Sequence, residues 1–232
     1  MNILAIDTSS LNATCAVLCN GVLTGEFSIC NKKTHSQMLM PMLDDVLKKA
    51  SLGIEDIDVF APCIGPGSFT GLRIGIAAAK ALCQARGKKI IGISALDSLA
   101  QNIAFSDKIV CPIMDARRGD VYNALYKNSE KITSERAVSL EELLNELDGK
   151  ETVFTGDGVF AYREKIAEKM GGFAYFAPPM HMLSRASSIA YLAEKKAENG
   201  EFDDYHTILP VYLRTCQAER KYNERMKEFK TN

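Results

Sequence analysis

Hydrophobic and polar positions along the chain fall into short runs whose period changes. Residues 2–8 (NILAIDT) form an apolar run closed by Asp7 and Thr8, and 13–19 (ATCAVLC) form a second. Asn20-Gly21 follows, a pair that favours the two-residue turn of a hairpin, and 22–30 (VLTGEFSIC) supply a third run. The chain is therefore expected to open as a three-strand meander. The period then changes. In 36–50, Leu39, Met42, Leu43, Val46 and Leu47 recur at helical spacing, with Pro41 expected to kink the helix or define its first turn. A buried strand at 58–64, a helix over 70–86, a strand at 89–93 and a helix over 95–104 follow.

The second half repeats this order. Strands are expected at 109–115, 121–127 and 132–138, with the charged turn Ala116-Arg117-Arg118-Gly119-Asp120 between the first two. A helix over 139–147, a strand at 152–155 ending in Gly156-Asp157-Gly158, a helix over 159–170, a strand at 173–177, a helix over 185–198 and an extended piece at 207–214 complete it. The order β-β-β-α-β-α occurs twice, which predicts a duplicated, bilobed α/β fold with mixed sheets and helices packed on their faces. The expected division is an N-terminal lobe over 1–104, a C-terminal lobe over 105–215 and a helical tail over 216–232.

Composition narrows the reading. The chain has 232 residues, ordinary apolar and charged fractions, and a formal net charge of −1, which argues against strong nucleic-acid binding through bulk charge. The tail is the basic exception. The apolar runs are of strand length, and no cationic region precedes the first, so neither a membrane span nor a signal peptide is expected and the protein reads as cytoplasmic. The seven cysteines show no C-x-x-C spacing and read as reduced, buried thiols.

The stretch 65–75, Gly-Pro-Gly-Ser-Phe-Thr-Gly-Leu-Arg-Ile-Gly, invites a phosphate-loop reading. It lacks the Lys-Ser/Thr of a Walker loop, and its glycines miss the dinucleotide fingerprint by one position. The helix after it carries Gly71, Gly75 and Ala79 at i, i+4 and i+8, widened by Ala78. These form one stripe with almost no side chain. Two helical glycines cost about 1–2 kcal/mol relative to alanine, so close packing must offset them. Pattern alone leaves two surfaces open: the chain's own sheet or a helix of another subunit. Met38, Met40 and Met42 on the preceding helix offer a companion surface, for core or partner.

ILAIDTSS, THSQMLMPMLDDVL, GPGSFTGLRIGIAAAKAL, IMDARRGDVY, the Gly156-Asp157-Gly158 run and the late VYLR at 211–214 together resemble the TsaB (YeaZ) family over nearly the whole chain. The resemblance implies a duplicated actin-like, sugar-kinase-like fold. It implies a non-catalytic role in making threonylcarbamoyladenosine beside the anticodon of tRNA, as the activating partner of the transferase TsaD. The small ATPase TsaE completes the set, homodimers form in isolation, and tRNA is met indirectly through the complex. The implied partner and dimer face comprises Met38, Met42, Phe69, Gly71, Leu72, Gly75, Ala78, Ala79 and Leu82.

TsaD-like subunits hold a metal through a helical H-x-x-x-H pair. Here His35 has Leu39 one turn on, and neither metal nor cofactor is expected. Actin-like ATPases place phosphate and magnesium ligands after the first strand, so Asp7, Thr8 and Ser9 with Gly156 and Asp157 mark a vestigial nucleotide site. The alternative function is an ATPase or small-molecule kinase using Asp7 and the Gly156 loop. Use of Asp7 and Ser9 in capping a turn is the plainer reading. A third reading, direct tRNA binding, rests on the tail and the Arg117-Arg118 turn. No nucleophile-base set or zinc helix supports a protease.

Overall fold

The computed structural model describes residues 1–31 and 34–214. The opening strands are β1 (Asn2–Asp7), β2 (Ala13–Cys19) and β3 (Val22–Ile29), followed by α1 (His35–Lys49), β4 (Val59–Gly65), α2 (Phe69–Arg86), β5 (Lys89–Ile90), β6 (Ile93–Ser94) and α3 (Ala95–Gln101). Asn20 and Gly21 sit at φ 49° and 78°, so both central residues of the β2–β3 turn are left-handed, the geometry that matches hairpin twist. β1 pairs antiparallel with β2 and parallel with β4, and the sheet runs β3-β2-β1-β4-β5 with β6 also on β4.

The second half contains β7 (Ile109–Asp115), β8 (Asp120–Asn123), β9 (Tyr126–Lys127), β10 (Glu130–Lys131), β11 (Arg136–Ser139), α4 (Leu140–Glu146), β12 (Thr152–Thr155), α5 (Gly158–Met170), β13 (Ala174–Phe176) and α6 (Ala186–Glu198). β11 pairs β8, β8 pairs β7, β7 pairs β12 in parallel and β12 pairs β13. That succession repeats the first sheet strand for strand, so the duplication read from element order is a duplication of topology.

Residues alternate across β1. Leu4 and Ile6 pack under α1 and α2 with Leu39, Met42, Leu43, Val46, Leu47, Ala79 and Cys83. Ile3 and Ala5 face the other way, into a core shared with Leu96, Leu99, Ile189, Ala190 and the second lobe's Ile113 and Phe154. α6 follows the second lobe's last strand yet packs on β1 and β2 of the first. Glu26 of β3 anchors its start: the carboxylate accepts from Ser187 N (2.9 Å), Ser187 Oγ (2.7 Å) and the Arg185 guanidinium.

Several expectations change. The strand expected at 89–93 breaks at Ile91-Gly92, where a Cβ on Gly92 would lie 2.7 Å from Ile64 Cγ2. That expected at 121–127 breaks at Ala124-Leu125, and Leu125 N turns to Thr133 Oγ1 (2.8 Å). Pro41 lies inside α1, past its first turn. The extended piece at 207–214 joins no sheet ladder. After α6 the chain forms a strap: Asp203 bridges Ile90, Val211 N donates to Ile64 O (2.7 Å), and Lys80 Nζ donates to Ile208 O (3.2 Å). The expected tail, 216–232, lies outside the described residues.

α2 carries the stretch that invited a phosphate loop. Ser68 caps it by accepting from Gly71 N (3.3 Å), and Gly87 ends it at φ 59°. The small-residue stripe faces inward. A Cβ on Gly71 would lie 1.9 Å from Thr8 O, and one on Gly75 would lie 2.6 Å from Thr8 Oγ1. Thr8 Oγ1 in turn donates to Gly71 O (2.7 Å), and Ala79 is fully buried. Of the two surfaces left open by pattern, the stripe meets the end of the chain's own first strand.

Candidate functional site

Two regions gather the residues singled out in the sequence: the cleft between the lobes and the solvent face of α1 and α2.

The cleft encloses about 710 Å³. Ser9, Gly67, Ser68 and Phe69 line one wall, and Asp115, Arg117, Arg118 and Asp157 line the other, with Arg214 between them. Asp7 is not in it. Its side chain is fully buried; Oδ1 accepts from Ser9 N (2.7 Å), and Oδ2 accepts from Ser184 Oγ across the lobes. Asn12 Nδ2 donates to Ser184 O (2.9 Å) and Asn102 Nδ2 to Leu183 O (2.9 Å). Thr14 Oγ1 accepts from Ala186 N (3.3 Å). The buried polar groups of the first lobe thus bolt down the crossover into α6, and buried donors and acceptors are expected to be paired in this way. Burial, with the charge of Asp7 next, pushes the Cys63 thiol well up.

The second-lobe wall is a strained turn. Arg117 and Arg118 take φ 68° and 59°, left-handed positions that suit glycine or asparagine better than arginine. Asp115 holds the first by accepting from Arg117 N (2.8 Å) and Arg117 Nη1 (3.2 Å). Arg214 holds the far side, donating to Ala116 O (2.7 Å) and pairing with Asp120 (2.9 Å). Asp157 accepts from Asp115 N (3.3 Å); burial first, and the Asp115 charge after it, push its carboxyl up to about 6. Gly156 and Gly158 serve close packing, since a Cβ on Gly156 would lie 2.2 Å from Ile113 O. The structure therefore brings Ser9 and Asp157 to one cleft but leaves Asp7 and Thr8 beneath it.

The helical face is narrower than the sequence pattern implies. Gly71, Leu72, Gly75, Ala79 and Met42 are buried within the chain. Met38, Ala78 and Leu82 are half-buried and rest on the core under α1 and α2. Met40 (50% exposed) and Ala77 face solvent, so the three methionines at i, i+2 and i+4 do not share one surface. Phe69 is half-buried and stacks on Tyr212, ring centroids 4.4 Å apart, while Arg73 Nε donates to the Tyr212 hydroxyl (3.0 Å). Tyr212, Arg214 and Ser184 were missed as site residues. Only the VYLR run signalled the first two, and nothing local signalled the third.

His35 opens α1, and its Nε2 meets Ser10 O at 3.0 Å; Leu39, one turn on, is buried. Among the described residues no three His, Cys, Asp or Glu side chains gather as a metal site, and no helix is long and apolar enough to cross a membrane.

Residues 29–222 match the family model described as TsaD, tRNA N6-adenosine threonylcarbamoyltransferase. The tRNA threonylcarbamoyladenosine biosynthesis protein TsaB of Bacillus subtilis is 34% identical over an alignment of 233 positions that covers 98% of this chain and 100% of that protein. A Pseudomonas aeruginosa structure, described as similar to the peptidase YeaZ, superposes with a TM-score of 0.79 at 28% identity, covering 92% of this chain and 99% of that one. The 2-hydroxyisocaproyl-CoA dehydratase activator of Clostridium difficile, solved with ADPNP, gives a TM-score of 0.54 at 12% identity over 87% of this chain and 97% of that one, a likeness of fold alone. The architecture is thus a duplicated actin-like α/β fold. With a full-length relative one-third identical and a solved structure that superposes over nearly its whole length, this chain belongs to the TsaB family of tRNA threonylcarbamoyladenosine biosynthesis proteins.

Proposed function

We propose that this chain is a non-catalytic, cytoplasmic subunit of threonylcarbamoyl transfer to tRNA adenosine, and that it binds and activates the transferase TsaD. The observation that carries the reading is the fate of Asp7. Both its oxygens are taken up inside the protein, by Ser9 N and Ser184 Oγ, so the carboxylate that would hold a hydrated cation in an actin-like ATPase acts here as a bolt between lobes. Leu39 occupies the helical position that would complete a histidine pair with His35, and it is buried in the core. His35 reaches a backbone carbonyl rather than a serine hydroxyl, which lends nothing to a peptidase.

Activation acts through binding: contact with the exposed face of α1 and α2 favours a competent conformation of the partner. Met38, Ala77, Ala78 and Leu82 supply that face, and the buried stripe sets the height of α2 above the sheet. The same face serves a homodimer in the absence of TsaD. TsaE joins the assembly, and tRNA is met through the complex.

Reconstitution tests this. Threonylcarbamoyl-adenylate, tRNA and TsaE are supplied with this chain alone, TsaD alone, or both. Product only with both is expected. Product without TsaD, or magnesium-dependent ATP turnover by this chain that Asp7→Ala abolishes, would make it the enzyme. Ala77→Arg should break the complex without lowering the melting temperature.

A further inference from the structure

The last described residue, Arg214, lies in the cleft between the lobes. Tyr212 stacks on Phe69 of the first-lobe wall. Two residues later, Arg214 donates to the carbonyls of Ala116 (2.7 Å) and Arg117 (3.3 Å) and pairs with Asp120 (2.9 Å) on the second-lobe side. The chain thus passes from one wall to the other over its last three described residues. Residues 215–232 continue from this fastened point.

The cleft has apolar surface that its polar walls do not use. Leu11 (53% exposed) lines it from the first lobe and Phe160 (61% exposed) from the second. Arg118, on the wall of Phe160, makes no side-chain hydrogen bond or ion pair with another described residue. At about 710 Å³ the space falls within the range of built ligand pockets, roughly 300–1,000 Å³. Its lining calls for an occupant with large apolar side chains and a carboxylate.

The sequence past Arg214 has that chemistry. Ala218, Tyr222, Met226 and Phe229 follow one another at intervals of four, four and three, which sets them on one face of a helix, and most of the other positions are charged. Glu219 borders that face. Tyr222 comes about 12 Å along a helix from Arg214, and Phe229 about 22 Å. A segment tethered this closely meets the cleft at an effective concentration on the order of millimolar.

We propose that residues 216–230 form an amphipathic helix across the mouth of the cleft, seating Tyr222 and Met226 between Leu11 and Phe160 and bringing Glu219 to Arg118. The tail is then a plug built into the chain. It buries the apolar rim, spans both lobes and closes the cavity to small ligands. The plug forms in the isolated chain and does not depend on the function proposed above.

Amide exchange of the full chain, read by mass spectrometry, tests this. In the wild type, residues 219–229 should exchange about tenfold or more slowly than an unstructured peptide. Leu11→Asp and Phe160→Asp should return them to within about twofold of peptide rates while the rest of the chain keeps its protection. Phe105→Glu, at an 82% exposed position outside the cleft, should change nothing in the tail. A photo-crosslinking phenylalanine analogue at position 160 should link to 216–230 of its own chain, with a yield unchanged on tenfold dilution. Wild-type tail amides that exchange at peptide rates would overturn the proposal. So would tail protection that survives both cleft variants, or that falls instead with Leu209→Glu on the strap, since either places the tail elsewhere. Links formed between two chains would also overturn it and give the cleft to the tail of a second copy.

Discussion

Gly71→Ala tests which way the small-residue stripe faces. On an exposed helix this change stabilises by about 1 kcal/mol, because alanine is the better helix former. If the stripe were an unoccupied subunit surface, the isolated chain should gain that amount. The structure predicts the opposite sign. The new Cβ would lie 1.9 Å from Thr8 O, a backbone atom just past the buried end of β1, so either α2 or β1 must move. Such a shift also stretches the Thr8 Oγ1 to Gly71 O bond. Overpacking of this kind costs roughly 3 kcal/mol, which outweighs the propensity gain and leaves a net loss of about 2 kcal/mol. For a chain of this length, that lowers the melting temperature by about 4–8 °C. Urea unfolding and calorimetry on the isolated chain measure it, with Ala77→Gly as the exposed-face comparison, expected to cost about 1 kcal/mol. A Gly71→Ala protein that melts above wild type would refute the packing argument and return the stripe to a partner.

The remaining predictions concern buried carboxylates. Asp7→Ala strands Ser9 N and Ser184 Oγ and should cost about 2–4 kcal/mol in urea unfolding, while transfer activity with TsaD persists at temperatures where the variant stays folded. Asp157 ordinarily ionises at 3.8 and is pushed up to about 6 in the fold, so folding takes up protons between those values; stability present at pH 4 falls by about 2–3 kcal/mol as pH rises through 6. Asp157→Asn should flatten that slope in denaturation titrations, and an unchanged slope would refute the assignment. Glu26 has the opposite sign: burial opposes ionisation, but Arg185 and Ser187 outweigh it and hold the carboxyl below its usual 4.5, so its contribution is present above that value and lost in acid. Glu26→Gln should cost about 1–3 kcal/mol at neutral pH and increase exchange at the start of α6.

Much of the fold was legible because its signals are local. Asn20-Gly21 set a hairpin through backbone sterics alone, and the spacing of Leu39, Met42, Leu43, Val46 and Leu47 fixed the buried side of α1. The weaker elements were not. The strand break at Gly92 answers to Ile64, 28 positions back, and that at Ala124-Leu125 to the Thr133 hydroxyl, whose part in the turn no apolar periodicity signals. The extended piece at 207–214 docks through isolated hydrogen bonds rather than a ladder, with partners as distant along the chain as Ile64.

The candidate site divides along the same line. The sequence by itself determined the duplicated order of elements, the small-residue stripe and the charged Asp115–Asp120 turn, since periodicity, glycine content and turn chemistry are properties of neighbouring residues. Only the tertiary structure decided what the stripe touches, that Asp7 is bolted to Ser184, and that Tyr212 comes to lie on Phe69. A stripe at i, i+4 and i+8 looks the same whether a strand or a foreign helix approaches it. A carboxylate is free or occupied according to a partner 177 positions away.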